Sequence, residues 1–477
     1  MSDMMSSFDV IVLGGGPAGA QAAIAAASTG LRVALFDENV SAGGQVYRAP
    51  LAGVAPTPGA DQAAGDALRS ELAASNVTAF FRHPVWAVTG NYRVDATGPD
   101  GPLHCTARAL IVASGTTERV VPFEGWTTPG VIGLAAATIL LKSQHMLPGR
   151  STLVAGCGPL LAAVAAKTLE GGGKVEAIVD LASTGDWARA MPAMLGRLDL
   201  LRQGFKWWNA IRRAGTPRYA RHTIVRVEPA GDRLRATLAP CDAAGRVIDG
   251  ERKTVLSDCI AVGHGLTPSS EITRLLRAEH RYSRAAGGWV AVADADGRTS
   301  RPLLYVAGDG AGIAGAAAAA THGMLAGLAC ARDLGASGAI AAKRVADLRQ
   351  AHRDASRFGH AMANLMALRA GHVDSIAPDT IVCRCEDVTR AEIDAACDAG
   401  AHDVNQLKAW TRCGMGPCQG RTCGDVAGEL LMRRMGANSR EDVGCFSART
   451  PLRPVTVEAL TGAFKYDDIP IPKAAPL

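Results

Sequence analysis

FDVIVLGGGPAG, Phe8 to Gly19, runs directly into the helix-forming stretch AQAAIAAAS. The first six residues read as a buried strand, the next six as a G-x-G-x-x-G turn, and the run that follows as a helix. Gly14 permits the tight turn, Gly16 lets a pyrophosphate approach backbone N–H groups, and Gly19 lets the helix pack on the strand, with Pro17 and Ala18 between them. A second strand, Leu31 to Phe36, ends in Asp37-Glu38 about 20 residues on, where a carboxylate takes the ribose hydroxyls of an adenosine. A turn that only packed would need no acid there, so the reading is a dinucleotide site.

Working outward, the chain has 477 residues, 48% hydrophobic and 20% charged, which excludes a disordered or acidic solvating chain. At about 150 residues per domain this suggests roughly three folding units. The net charge of +5 is too small over this length to mark a nucleic-acid binder. Glycine is abundant at 54 residues, which favours turns that approach ligands closely. The N-terminal MSDMMSSFDVIVLGGG lacks a basic segment and reads as a strand, not a signal peptide. The uncharged stretch Gly310 to Ala331 is too poor in Leu, Ile and Phe for a membrane span. Twelve cysteines without an export signal point to a reducing, cytoplasmic setting.

A second unit begins at Thr152 to Ala155 with Gly156-Cys157-Gly158-Pro159-Leu160-Leu161, a helix from Leu160 to Glu170, and a strand from Val175 to Val179 ending in Asp180. Leu161 stands where the third glycine belongs, so the unit reads either as a nucleotide site (NAD or ATP) with Asp180 on the ribose, or as a retained fold with an empty site. Cys157 is a packing residue in this reading. No C-x-x-C or C-x4-C pair precedes Cys383, which disfavours thiol-disulfide exchange.

Seven of the twelve cysteines fall between Cys383 and Cys445, marking a separate C-terminal unit. Cys383 and Cys385 form C-x-C, and Cys413 and Cys418 form C-x4-C. Four thiolates on two loops hold a [2Fe–2S] cluster or a zinc ion, and C-x-C suits structural zinc spacing poorly. Backbone N–H groups around Gly414, Gly416, Pro417 and Gly420 are placed to meet cluster sulfurs. Cys423 is a spare that could replace Cys418, and Cys397 reads as core.

Gly43-Gly44-Gln45 and Tyr305-Val306-Ala307-Gly308-Asp309 together resemble the two-dinucleotide-domain flavoproteins, the superfamily of glutathione and thioredoxin reductases. That resemblance implies FAD at the first site, with Asp309 on the ribityl chain and Thr106 to Gly115 closing over the cofactor. Gly315 and Ala316 are expected in the same site. The cysteine segment resembles the small [2Fe–2S] domain of the bacterioferritin-associated-ferredoxin type, whose ligand pattern implies Cys383, Cys385, Cys413 and Cys418. With GGQVYRAP (Gly43 to Pro50), GTTERVVPFEGWTTPGV (Gly115 to Val131) and CRCEDVT, nearly the whole chain resembles a narrower group. These are the α subunits of heteromeric opine oxidases, D-hydroxyproline and L-proline dehydrogenases, and the related hydrogen cyanide synthase subunit.

The resemblance implies an α/β flavoprotein with a C-terminal [2Fe–2S] domain, partnered by a β flavoprotein subunit carrying the substrate site and in some members a small [2Fe–2S] γ subunit. An FMN at the subunit interface is a further possibility. The function implied is electron transfer in a dehydrogenase acting on the C–N bond of an opine, hydroxyproline, proline or glycine. The alternatives are a self-contained NAD(P)H-dependent FAD/[2Fe–2S] reductase and a non-catalytic scaffold. No acid–base pair stands out; His322 is the weak catalytic candidate, and His264 sits in the return crossing. The Arg-rich segment from Trp187 to His222 reads as a covering subdomain or subunit contact. The expected organisation is residues 1–135 and 255–340 for the FAD domain, 136–254 for the inserted nucleotide domain, 341–378 for a helical linker, 379–446 for the [2Fe–2S] domain and 447–477 for a tail lying over another surface.

Overall fold

The computed structural model describes residues 6–54, 59–336 and 342–461. Its first sheet is built on Ser6–Leu13, whose last four residues are fully buried. A strand covered on both faces needs an uninterrupted apolar run, and the neighbours that cover it in this way are parallel strands. Ser6–Leu13 pairs in parallel with Val33–Asp37 on one side and Gly101–Val112 on the other. Seven strands result, in the order Val77–Phe81, Val33–Asp37, Ser6–Leu13, Gly101–Val112, Arg93–Gly98, Val85–Thr89, with Leu304–Val306 also paired to Gly101–Val112. The late strand brings the Gly308-Asp309 turn beside the first glycine turn, although almost 300 residues separate them in sequence.

A second sheet of five parallel strands follows the order Arg218–Ala220, Lys174–Asp180, Ser151–Gly156, Cys259–Gly263, Val131–Gly133. Three antiparallel strands, His222–Ala230, Arg233–Pro240 and Lys253–Ser257, lie beside it. The expected boundaries at 135/136 and 254/255 therefore leave two strands of this sheet, Val131–Gly133 and Cys259–Gly263, on the wrong side. The chain crosses instead at Thr116–Glu118 and returns at Leu266–Pro268, three-residue strands that pair with each other. Segments so short carry no periodicity, which is why the sequence pattern placed the crossings later and earlier than they are.

Trp187 to His222 forms two helices, Thr184–Met194 and Leu198–Arg213, that cover the second unit. Trp207, Trp208 and Ile211 enter the core beneath the helix Leu160–Glu170. A helix of 24 residues, Ala342–Leu365, leads to the C-terminal unit, where Arg390–Asp398, Val404–Thr411 and Gly424–Arg434 enclose Ile393, Leu407, Val426 and Leu431. Thr389 and Glu392 form a capping box, and Asp403 accepts from the N–H groups of Asn405 and Gln406, so two of these helices start on side-chain caps. The tail up to residue 461 crosses the first domain: Leu452 N–H donates to the Trp86 carbonyl and Arg453 pairs with Glu38. Its last stretch, 462–477, lies outside the described residues. Among the described residues no helix is long and apolar enough to cross a membrane.

Candidate functional site

The first glycine turn is shaped by contacts that leave no space for side chains. A Cβ on Gly14 would stand 2.3 Å from the Ala113 carbonyl oxygen, and one on Gly19 would stand 1.7 Å from that of Gly14. Gly14 also has φ +106°, a conformation that favours glycine. Asp37 closes the turn, its carboxylate accepting from Gly15 N–H at 2.5 Å and from Asn39 N–H at 2.6 Å. Gly43 N–H donates to the Gly15 carbonyl at 2.9 Å, and a Cβ on Gly44 would reach Gly16 at 2.9 Å, so the second loop lies on the first. Glu38 and Gln45 face solvent.

From the other side, Gly308 abuts Ala18, where a Cβ would come within 2.6 Å of the alanine methyl. The Asp309 carboxylate accepts from the N–H groups of Ala314 and Gly315, both at 2.9 Å. Burial raises its carboxyl above the usual range, and those two N–H groups offset part of the rise. Gly310 packs on Gly115. The helices Pro17–Ala27 and Ala316–Asp333 start at Gly16 and Gly315 without a side-chain cap, so the first-turn N–H groups have no protein side chain to satisfy them. Around Gly115 and Gly315 a Cβ would meet nothing within 4 Å, and at Gly16 only Gly44 at 3.8 Å. Uncapped N–H groups over open space suit a pyrophosphate, and an acid at the end of the second strand suits a ribose, so these residues fit FAD.

His322 supports this site from outside it. Gly308 N–H donates to His322 Nδ1 at 3.2 Å, and burial, reinforced by His352 with its ring 4.9 Å away, lowers its pKa to about 4. It is a neutral group holding the Gly-Asp turn. His264 is likewise buried and neutral, accepting from Val121 N–H at 3.1 Å.

The second glycine turn has a different content. Gly158 has φ +92°, but the space a Cβ would take is bounded by the Met366 sulfur at 2.5 Å. Leu161, in the third glycine's place, is 1% exposed in the core. Asp180 is fully buried and already engaged: it pairs with Arg218 at 2.7 Å, and accepts from the Trp187 indole at 3.1 Å and from Ala182 N–H at 2.9 Å. Arg369 donates to the Leu181 carbonyl at 3.0 Å, tying the end of the linker across the same turn. Pro159 is the N-cap of the helix Leu160–Glu170. Cys157 is inert, burial pushing its thiol up to about 12.

In the C-terminal unit the sulfurs of Cys383, Cys413 and Cys423 all lie within 4.8 Å of one another and are buried. Cys385 and Cys418, half-buried, make a sulfur–sulfur contact of their own. Of the four expected ligands, Cys383 and Cys413 fall in this group and Cys385 and Cys418 form a pair outside it, while Cys423, read as a spare, completes the group at 3.9 Å from Cys413. The signal for it was present in the sequence, because Cys418 and Cys423 repeat the C-x4-C spacing of Cys413 and Cys418. Thiol hydrogen bonds from Cys413 and Cys423, with the N–H groups of Gly414 and Cys385, lower Cys383 to about 2. Against the burial that raises it, the N–H groups of Thr422 and Gly420 lower Cys418. Gly414 and Gly420 thus turn their N–H groups to sulfur as expected, while their α-carbons pack on the Phe446 ring. A converging set of soft thiolates fits a thiophilic metal centre. Cys397 is core.

The two sites are joined by buried charges. Arg119, just past the crossing strand, pairs with Asp425 at 2.7 Å, two residues beyond Cys423. Arg440 also meets Asp425, at 3.2 Å, and Arg284 meets Glu429 at 2.6 Å.

Residues 8–323 match the pyridine nucleotide-disulphide oxidoreductase family, and residues 378–463 match the sarcosine oxidase A3 domain. The chain is 33% identical to the opine oxidase A-type subunit of Agrobacterium tumefaciens, over 96% of this chain and 92% of that protein. It is 34% identical to the hydrogen cyanide synthase subunit HcnB of Pseudomonas aeruginosa, over 94% and 97% respectively. L-Proline dehydrogenase from P. horikoshii has the same fold, with a TM-score of 0.70 at 19% identity over 96% of this chain and 81% of that one. The chain belongs to the pyridine nucleotide-disulphide oxidoreductase family of flavin-dependent enzymes, as a homologue of the opine oxidase A-type and HcnB subunits.

Proposed function

We propose that this chain is the flavin and iron–sulfur electron-transfer subunit of a heteromeric dehydrogenase that oxidises the C–N bond of a secondary amine or imino acid. The reading rests above all on the second turn, because a reductase fed by NAD(P)H needs that turn and its acid, and here Met366 lies against Gly158 while Arg218 engages Asp180. Electrons then have to come from a substrate held elsewhere, on a β subunit of the flavoprotein type. A γ subunit with another cluster completes some assemblies of this kind. The names of the relatives, each a subunit of a larger enzyme, support this. The twelve free cysteines suit a cytoplasmic setting.

Bound FAD accepts a hydride as two electrons and a [2Fe–2S] centre carries one at a time, which is the chemistry the two sites would supply. The chain's own residues do the holding. Gly14 to Gly19 and the uncapped first helix receive the pyrophosphate, Asp37 the ribose, and Asp309 the ribityl hydroxyls. Four of the five thiols, Cys383, Cys385, Cys418 and either Cys413 or Cys423, ligate the cluster, with Gly414 and Gly420 donating to sulfur.

The test is an anaerobic visible and EPR spectrum of the purified chain, before and after NADH and then a panel of opines, hydroxyproline, proline and glycine. Flavin bands with a rhombic one-electron signal on chemical reduction, and no bleaching by NADH or by any amino acid without the β subunit, are expected. Rapid bleaching by NADH would replace this reading with the self-contained reductase.

A further inference from the structure

One cavity lies on the outer side of the Gly-Asp turn and shares Gly308 and Ala314 with the flavin site. Its volume is about 400 Å³, within the size range of small-molecule sites. Four pieces of chain enclose it: the hairpin His280–Ser283 and Gly288–Ala291 with its connecting loop, the turn from Gly308 to Ala314, one face of the helix Ala316–Asp333, and the linker helix Ala342–Leu365. Gly359 holds the linker helix in contact, since a Cβ there would stand 1.8 Å from the Ala314 carbonyl oxygen. No residue from Gly14 to Gly19 or from Gly43 to Gln45 lines it, and neither Asp37 nor Gly115 does.

The lining divides into two kinds of surface. Arg281, Ser283, His322, His352, His360 and Asn364 supply the polar part, and no carboxylate is among the lining residues. Arg281, His360 and Asn364 are exposed at the mouth, and among the described residues no acid pairs with Arg281. His322 accepts from Gly308 at Nδ1, which leaves Nε2 as its N–H. The Ser283 oxygen accepts from Ala286 N–H at 3.2 Å, which leaves its hydroxyl hydrogen free to donate. The remaining wall is methyl groups of alanines and of Ile313. A donor-rich end bearing an unpaired guanidinium, set against an apolar wall, is complementary to an oxyanion carried on a small carbon body.

We propose that this cavity binds a small organic acid, its carboxylate or phosphate at the Arg281 and His360 mouth and its carbon body against Ile313 and the alanines. The site stands independently of the electron-transfer reading, because it needs neither the thiol cluster nor a β subunit. It puts an acid-binding site against the turn that carries Asp309, so occupancy bears directly on that turn.

The purified flavin-loaded full chain is titrated calorimetrically with L-proline, sodium acetate and inorganic phosphate, in parallel with Arg281→Ala and His360→Ala. Both substitutions are at the exposed mouth, and the flavin spectrum of each variant reports whether the fold is kept. Saturable binding of L-proline or acetate, weakened at least tenfold by each substitution, is the expected result. Phosphate saturating with the same dependence would also support the site and assign its ligand to the phosphate esters. Binding that neither substitution weakens, or no saturation by any of the three at millimolar concentration, would overturn the proposal.

Discussion

The proposed cluster would offer four ligand places to five sulfurs, and their arrangement gives a way to sort them. Cys385 and Cys418 touch each other, while Cys383 is shared by Cys413 and Cys423. Serine at 383, 385 or 418 is therefore expected to abolish bound iron, whereas of Cys413→Ser and Cys423→Ser one retains it and the other does not; iron and sulfide assays on the five variants decide it. Iron retained in Cys383→Ser would rule out the ligand set. Glu118, on the crossing strand, offers a second residue-scale test. Burial raises its carboxyl from 4.5 to about 7, although the N–H groups of Ala135 and Leu134 bind it. The folded state thus holds the proton more tightly, and the stability this group contributes below pH 4.5 is lost as pH rises to about 7. The loss amounts to at most about 3 kcal/mol. Glu118→Gln, which keeps an acceptor for Ala135, should unfold at higher urea than the parent at pH 8, with the gap much reduced at pH 5. A gap independent of pH would show that Glu118 is not the group responsible.

The flavin domain depends on two helices, Pro17–Ala27 and Ala316–Asp333, that pack closely through alanines and glycines. A Cβ on Gly323 would stand 2.0 Å from the Ala18 carbonyl oxygen, and one on Gly327 2.3 Å from that of Ala22. Forcing even a methyl group into such a contact typically costs about 1–3 kcal/mol. Gly323→Ala should accordingly lower the thermal midpoint and release flavin, measured by absorbance after gel filtration; full flavin retention at the parent midpoint would contradict the contact. How much of this was readable depended on range along the chain. The strand, turn and helix at Phe8 to Gly19 were legible because each residue's role is set by its neighbours. The C-x-C and C-x4-C pairs were legible through spacing. Met366 in the second turn was not, since nothing near residue 366 announces a partner 208 positions earlier. Asp180 left two readings open for the same reason: it stands where a ribose acid belongs, and only the fold supplies Arg218 and Trp187. Glu38 was read with Asp37, but it lies just past the end of that strand, exposed, and pairs with Arg453.

Across the whole molecule, the cysteine-rich C-terminal unit is fastened to the flavin domain by charges that water hardly reaches: the Arg119 side chain is 2% exposed and that of Asp425 12%. Removing one partner of such a pair leaves the other buried alone, at a typical cost of about 3–5 kcal/mol. Asp425→Ala should loosen the C-terminal unit, seen as faster proteolytic cleavage in the linker helix and a separate, lower unfolding transition. A single transition at the parent temperature would show that docking does not rely on this pair. Val121 strengthens the connection, since it lies in the core of the C-terminal unit while its N–H donates to His264 of the second unit. The Met366 side chain in the second turn then has a consequence for metabolism. A flavoprotein open to nicotinamide equilibrates with that pool and can run backwards when the pool is reduced. If electrons pass through this chain as proposed, a thioether over that turn keeps nicotinamide from short-circuiting them, and the direction of flow falls to the donor and the acceptor.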